Sequence, residues 1–267
     1  MDYQAGTILT FDKPLGWTSF QLVGKVRWLL CRHLGVKKLK VGHAGTLDPL
    51  ASGLMILCTG KATKQIEQLQ LGEKEYVATL QLGATTPSFD LEHAPEEPAT
   101  DATALTEEQV REVLRRFEGE QEQVPPVFSA CKVDGKRAYD LARKGADVEL
   151  QAKHITISAL ELTAFEPTAT HEYVARAAAP LPGRAAALSP EQNDDGSTPF
   201  SVTGPRITIR VACSKGTYIR SLARDIGEAL GCGAFLTDLR RTRVGQYTIA
   251  DACPSVEAFE FLLNHSK

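Results

Sequence analysis

No stretch of about 18 apolar residues occurs in this 267-residue chain, so no helical membrane span is predicted. Met1-Asp2-Tyr3-Gln4 has neither the basic nor the apolar region of a secretory leader, and none is expected. The six cysteines form no C-x-x-C pair and are irregularly spaced, so a disulfide framework gives way to reduced thiols and a cytoplasmic location. The six histidines fall at no metal-ligand spacing, so no metal site is predicted. G-x-G-x-x-G and G-x-S-x-G are missing. Gly60-Lys61-Ala62-Thr63 resembles the end of a phosphate loop, but Met55 stands where the first glycine belongs. A nucleotide cofactor is therefore not expected.

Acidic residues are missing locally too. The formal charge is −3, yet no acid lies between Asp12 and Asp48, where Lys13, Lys25, Arg27, Arg32, Lys37, Lys38 and Lys40 stand. Arg206 to Gln246 holds eight basic residues against three acids, whereas Asp90 to Glu122 holds eleven acids against three arginines. This segregation fits a polyanionic partner on the basic segments and a solvated acidic face elsewhere.

Hydrophobic periodicity predicts strands at Thr7–Phe11, Leu54–Cys58, Lys74–Leu82, Val127–Val133, Ile155–Phe165, Glu172–Ala177 and Arg206–Ala212. Asp134-Gly135 ends the fourth of them as a turn. Thr18 with Gln21, and Thr106 with Gln109, read as capping boxes opening helices to about Leu34 and Phe117. Further helices are expected from about Lys61, over Ala138–Lys144 before Gly145, and at about Tyr218–Leu230 and Ser255–Asn264. Pro87 to Ala104 reads as a loop. Residues 176–205, with five Pro, three Gly and six Ala, predict a flexible insertion. Without regular β-α-β alternation, the fold class is α+β with a mixed sheet. The expected organisation is one domain over 1–267, with 246–267 as a short tail and helix.

Two segments carry chemistry. Gly42-His43-Ala44-Gly45-Thr46-Leu47-Asp48-Pro49-Leu50-Ala51-Ser52-Gly53 sets one carboxylate among glycines that permit close approach of a large ligand. From the residues alone, Asp48 is either reactive or the cap of a turn. Cys213-Ser214-Lys215-Gly216-Thr217-Tyr218-Ile219-Arg220 places a tyrosine and an arginine two apart where a strand passes into a helix. Such an arginine either holds a carboxylate in a charge-assisted pair or merely decorates a helix start.

Together these segments resemble the TruB family of pseudouridine synthases, whose signature is G-H-x-G-x-L-D-P-x-A-x-G. The likeness runs from about Thr7 to Leu263. It takes in Asp12-Lys13-Pro14-Leu15-Gly16, Lys74-Glu75-Tyr76, Pro125-Pro126-Val127-Phe128-Ser129-Ala130 with Lys132, and Leu239-Arg240-Arg241.

The resemblance implies a largely antiparallel central sheet with flanking helices, and an enzyme that converts uridine 55 in the T-loop of tRNA to pseudouridine without metal or organic cofactor. It puts the catalytic nucleophile on Asp48, which attacks ribose C1′ or the uracil ring. It puts the base-stacking tyrosine, a candidate general base, on Tyr76, and the arginine that pairs with the aspartate on Arg220. Tyr218 and Leu239 fall on the uracil pocket, and His43 on a residue near the flipped-out nucleotides. Extruding a stacked base has a cost that an aromatic platform lowers. Lys25–Lys40 and Lys132–Lys144 would meet phosphates of the T-arm, the latter as a clamp. The family usually carries a C-terminal PUA-type domain, and the residues after Arg241 are too few for one. A monomer is expected. Two other readings stay open: a tRNA-folding chaperone module, and a synthase acting on another RNA.

Overall fold

The computed structural model describes residues 1–96, 100–129, 131–133, 136–137, 150–176, 197–251 and 255–265. These fall into two compact units. The first comprises Met1–Val77 and Leu239–Lys267, the second Ala78–Asp238.

The first unit is built on β3 (Ser52–Thr59), whose Leu54-Met55-Ile56-Leu57-Cys58 run is wholly buried. An unbroken apolar run buries both faces of a strand, and each such side chain contributes roughly 1.5–3 kcal/mol. On one side β3 pairs antiparallel with β1 (Ile8–Lys13), and β2 (Val41–His43) also pairs antiparallel with it. On the other it pairs in parallel with β10 (Ala234–Val244) through Arg240↔Ser52 and Arg241↔Gly53. Beyond β10 lies β4 (Lys74–Leu82), and a two-residue β11 (Tyr247–Thr248) turns back on β10.

Helix α1 (Ser19–Leu34) opens on the predicted box, Thr18 and Gln21 bonding each other's backbone N–H. It buries Leu22, Val23, Val26, Leu29 and Leu30. After a 3₁₀ turn at Gly60–Gln65, α2 (Ile66–Leu71) leads into β4.

In the second unit the strand order continues from β10 and β4 to β9 (Ser197–Cys213), β8 (Lys153–Arg176) and β5 (Gly119–Gln123). The sheet is thus mixed and mostly antiparallel, as expected. Helix α3 (Glu107–Arg115) carries the second predicted capping box. Helix α4 (Ile219–Ala229) follows Tyr218, and α5 (Val256–His265) belongs to the first unit. Phe235, Val202 and Ala84 form a core cluster into which Tyr173 and Phe200 pack. No helix among the described residues is long and apolar enough to cross a membrane.

Several elements differ from expectation. β8 and β9 form one long ribbon, paired from Ile157↔Cys213 out to Arg176↔Ser197. Residues 166–171 and 197–205 are therefore strand. Pro167 sits in a register shift between Glu166 and Ala169, where a missing N–H is tolerated. The rest of the expected insertion, 177–196, lies outside the described residues, as does the helix expected at 138–144.

The strand expected over Val127–Val133 shrinks to β6 (Lys132–Val133), which pairs with β7 (Lys136–Arg137) across the predicted Asp134-Gly135 position. Those two linking residues are outside the described set. β2, β5, β7, β10 and β11 were not foreseen. β5 reads Gly-Glu-Gln-Glu-Gln, a polar strand at the end of the sheet order where charge guards an open edge.

Candidate active site

Asp48 lies on the connection from β2 to β3. Three anchors hold this loop within the first unit. The Ser19 hydroxyl, at the start of α1, donates to the Leu47 carbonyl and accepts from the Leu47 N–H, both at 2.9 Å. The Pro49 carbonyl accepts from the Gly16 N–H at 2.8 Å, tying the loop to the turn after β1. Inside the loop itself, the Ala51 N–H closes a turn on the Asp48 carbonyl at 3.1 Å.

The third anchor comes from far along the chain. Arg241 on β10 is only 1% exposed. Its guanidinium donates to the carbonyls of Leu54 (2.8 Å), Gly45 (3.2 Å) and Thr46 (3.4 Å). A planar fork with five donors suits three carbonyls that no single ammonium spans. Gly53 permits the approach. Its φ is +104°, and a Cβ there would stand 2.3 Å from the Arg241 carbonyl oxygen. Neighbouring Arg240 turns to Asp12 (2.6 Å) and Ser52.

Lys13, at the end of β1, is fully buried, and its ammonium donates to the carbonyls of Pro14 (3.0 Å) and Trp17 (2.5 Å). Burial lowers its pKa to about 8, the negative charge of Asp48 opposes that shift, Arg241 adds to it and Asp12 opposes it. Lys13 and Asp48 therefore share one electrostatic neighbourhood.

In the unfolded chain Lys13 titrates near 10.5. Below pH 8 both states are protonated and the fold bears the whole desolvation cost. Between pH 8 and 10.5 the unfolded state binds more protons, so the contribution of Lys13 to stability rises with pH, by ~3 kcal/mol in all. Urea unfolding from pH 7 to 10 should show wild type gaining on Lys13→Met across this window. Parallel curves would remove the buried-ammonium account.

The other candidates in the first unit are His43, Tyr76 and Leu239. His43 is half-buried at the end of β2, and burial pushes its imidazole below its ordinary value, leaving it neutral at pH 7. Among the described residues its buried Nδ1 has no well-formed hydrogen bond, although the Gly45 backbone is close enough to oppose the shift. Tyr76 on β4 and Leu239 on β10 are each buried, at 9% exposure, on strands adjacent in the sheet.

Tyr218, Arg220 and Lys132 belong to the second unit. Arg220 is buried in the first turn of α4. It donates to the Phe128 carbonyl (2.8 Å) and the Ser88 carbonyl (3.3 Å), and its Nε stands 3.7 Å from a carboxylate oxygen of buried Asp90. The Tyr218 N–H donates to Gln123 Oε1 at 2.8 Å, and the Lys153 ammonium lies 5.6 Å from the Tyr218 ring centre. Lys132 lies on β6, and its side chain is outside the described set.

The sequence reading missed Asp90 and Gln123, and it quoted Lys13 and Arg241 only within motif blocks or a basic segment, with no role of its own given to either. Asp90 was hidden in an acidic stretch read as solvated loop. Its neighbour Phe89 has φ +59°, unusual for a bulky residue, and no sequence pattern announces that. Arg241 had a signal: a second arginine beside Arg240 in a strand of alternating sides has to point inward.

Comparison with known proteins places this geometry. The model of the TruB family pseudouridylate synthase N-terminal domain matches residues 32–178, and that of the tRNA pseudouridylate synthase B C-terminal domain matches 220–263. The tRNA pseudouridine synthase B of Phocaeicola vulgatus is 56% identical over 260 residues, 97% of this chain and 94% of that protein. The protein of the same name from Flavobacterium johnsoniae is 42% identical, over 94% of this chain and 93% of its own. Among solved structures, a chain of a Cbf5-Nop10-Gar1 complex superposes with TM-score 0.62 at 25% identity, covering 99% of this chain. This chain spans 57% of that one.

The class is thereby that of the pseudouridine synthases, isomerases that rejoin uracil to its ribose through carbon. Within it, the chain belongs to the TruB family.

Proposed function

We propose that this pseudouridine synthase isomerises uridine 55 in the T-loop of tRNA, acting as a cytoplasmic monomer on the T-arm. The reading rests on one observation: the only carboxylate of the Gly42–Gly53 segment sits on a loop fixed from three sides. A nucleophile gains most when its approach is set before substrate arrives.

In this mechanism Asp48 forms the covalent link that loosens uracil from its ribose, at C1′ or on the ring. The detached base turns and reattaches through carbon, so that no atom is gained or lost. Arg220 serves as the guanidinium partner of the carboxylate. Tyr76 stacks on the extruded base and acts as the general base; Tyr218 and Leu239 wall the uracil. His43, neutral at pH 7, meets the flipped-out nucleotides as an uncharged hydrogen-bonding ring, and Lys132 meets phosphate. Neither metal nor organic cofactor enters any step.

The test is to incubate the purified protein with an unmodified tRNA transcript and map pseudouridine. Conversion at the T-loop uridine is expected without added cofactor. A transcript left unchanged there, or modified only elsewhere, overturns the reading.

A further inference from the structure

Helix α1 has an outer face that the Asp48 chemistry does not use. Phe20 is 75% exposed and Trp28 50% exposed. They stand eight residues apart on one i, i+4, i+8 row of the helix, about 12 Å along its axis and about 80° around it. Midway between them is Gly24. Among the described residues nothing lies within 4 Å of where its Cβ would be, so none of them demands glycine there, although glycine inside a helix costs about 1 kcal/mol relative to alanine. The row Phe20–Gly24–Trp28 is an open notch between two aromatic walls.

The charge on α1 and just beyond it has one sign, although α5 brings Glu257 and Glu260 to Lys25. Helix α1 carries Lys25, Arg27 and Arg32 and no acid, and Lys37, Lys38 and Lys40 follow. The Lys25 ammonium and the Arg32 guanidinium lie 5.0 and 5.5 Å from the Trp28 ring centre, within cation–π range. Trp28 stays half-exposed with both in place. Lys25 is further engaged by Glu260 of α5 at 2.9 Å. Among the described residues, the cations here without an acidic partner are Arg27, Arg32 and the three lysines beyond the helix.

We infer that this face of α1 is a second RNA site, which stacks an unpaired base on Trp28 while Arg27 and Arg32 meet the flanking phosphates. Exposed aromatics interleaved with cations are what a single strand needs, because every base has a π-face and every link a negative charge. A wholly apolar partner would leave these cations desolvated and unpaired. Trp28 lies nine residues after Ser19, which anchors the Asp48 loop, or about 14 Å along the helix, so the site is distinct from the reacting one. The inference rests on the RNA substrate proposed above and adds how RNA is held away from the chemistry.

The probe is a short labelled oligoadenylate, which has no uridine to modify. Wild-type protein is expected to bind it, with quenching of tryptophan emission that disappears in Trp28→Phe. Trp28→Ala should weaken binding roughly ten- to a hundredfold. The Arg27→Ala/Arg32→Ala variant should lower the slope of log affinity against log salt by about 1.4, at about 0.7 per phosphate contact. Asp48→Asn should bind the oligomer as wild type does.

Affinity of Trp28→Ala within twofold of wild type overturns the inference. So does a Trp28-dependent dimer in sedimentation with no oligoadenylate binding. Trp28-dependent binding by a protein that leaves tRNA unmodified would end the proposed function and uphold this site.

Discussion

Replacing Asp48 by Asn should lower pseudouridine formation by at least about three orders of magnitude, the scale on which loss of a covalent nucleophile acts. The substitution keeps size and planarity and removes the charged oxygen. The backbone carbonyl of Asp48, bonded to the Ala51 N–H, still closes the turn. Stability should fall modestly, because the buried Lys13 ammonium loses the negative charge that supports it, whereas tRNA affinity should change by no more than about threefold, because phosphate contacts dominate binding. Single-turnover kinetics on a tRNA transcript, alongside filter binding, separates the two quantities. If the Asp48→Asn protein modified the T-loop at a near-normal rate, the nucleophile would have to be sought elsewhere. If catalysis and affinity fell together, Asp48 would be a binding group.

Arg241→Met is the second change with a large expected effect, and it acts through the loop. Methionine fills much of the arginine's volume but offers no donor. The carbonyls of Gly45, Thr46 and Leu54 would lose the guanidinium they share. A buried acceptor left without a partner costs roughly 1–3 kcal/mol, and part of the loop can recover water, so a loss of about 3 kcal/mol is expected in urea unfolding. Activity should fall more than stability suggests, since a misplacement of about 1 Å costs about a hundredfold. Arg241→Lys should restore only a minor part, because one ammonium cannot reach all three oxygens. A Met variant as stable and active as wild type would show that Ser19 and Pro49 hold the loop without Arg241.

What was legible in the chain follows physical lines. The two capping boxes, Thr18 with Gln21 and Thr106 with Gln109, were read correctly because both partners lie within one turn. β3 was readable because both its faces are buried, which leaves an uninterrupted apolar run. β5 and β10 were not. One is polar at the sheet's edge, and the other carries Asp238, Arg240, Arg241 and Arg243 in a single strand. Pairing partners supplied by distant residues, such as Asp12 for Arg240 and Glu73 for Arg243, explain those charges only once the fold is known. The motif around Asp48 was legible, but its supports were not. Ser19 lies 28 residues from Leu47, and Arg241 lies 187 to 196 residues from the carbonyls it holds on the loop and on β3, and no local pattern encodes those distances.

That last span has a consequence for how the enzyme is made. Leu54 leaves the ribosome 187 residues before Arg241, an interval of roughly ten to forty seconds at ordinary elongation rates. Throughout it the nascent chain carries its carboxylate loop without the arginine latch. The latch on the Asp48 loop is thus complete only when translation delivers β10, and a prematurely terminated product holds the signature motif without Arg241 to hold it.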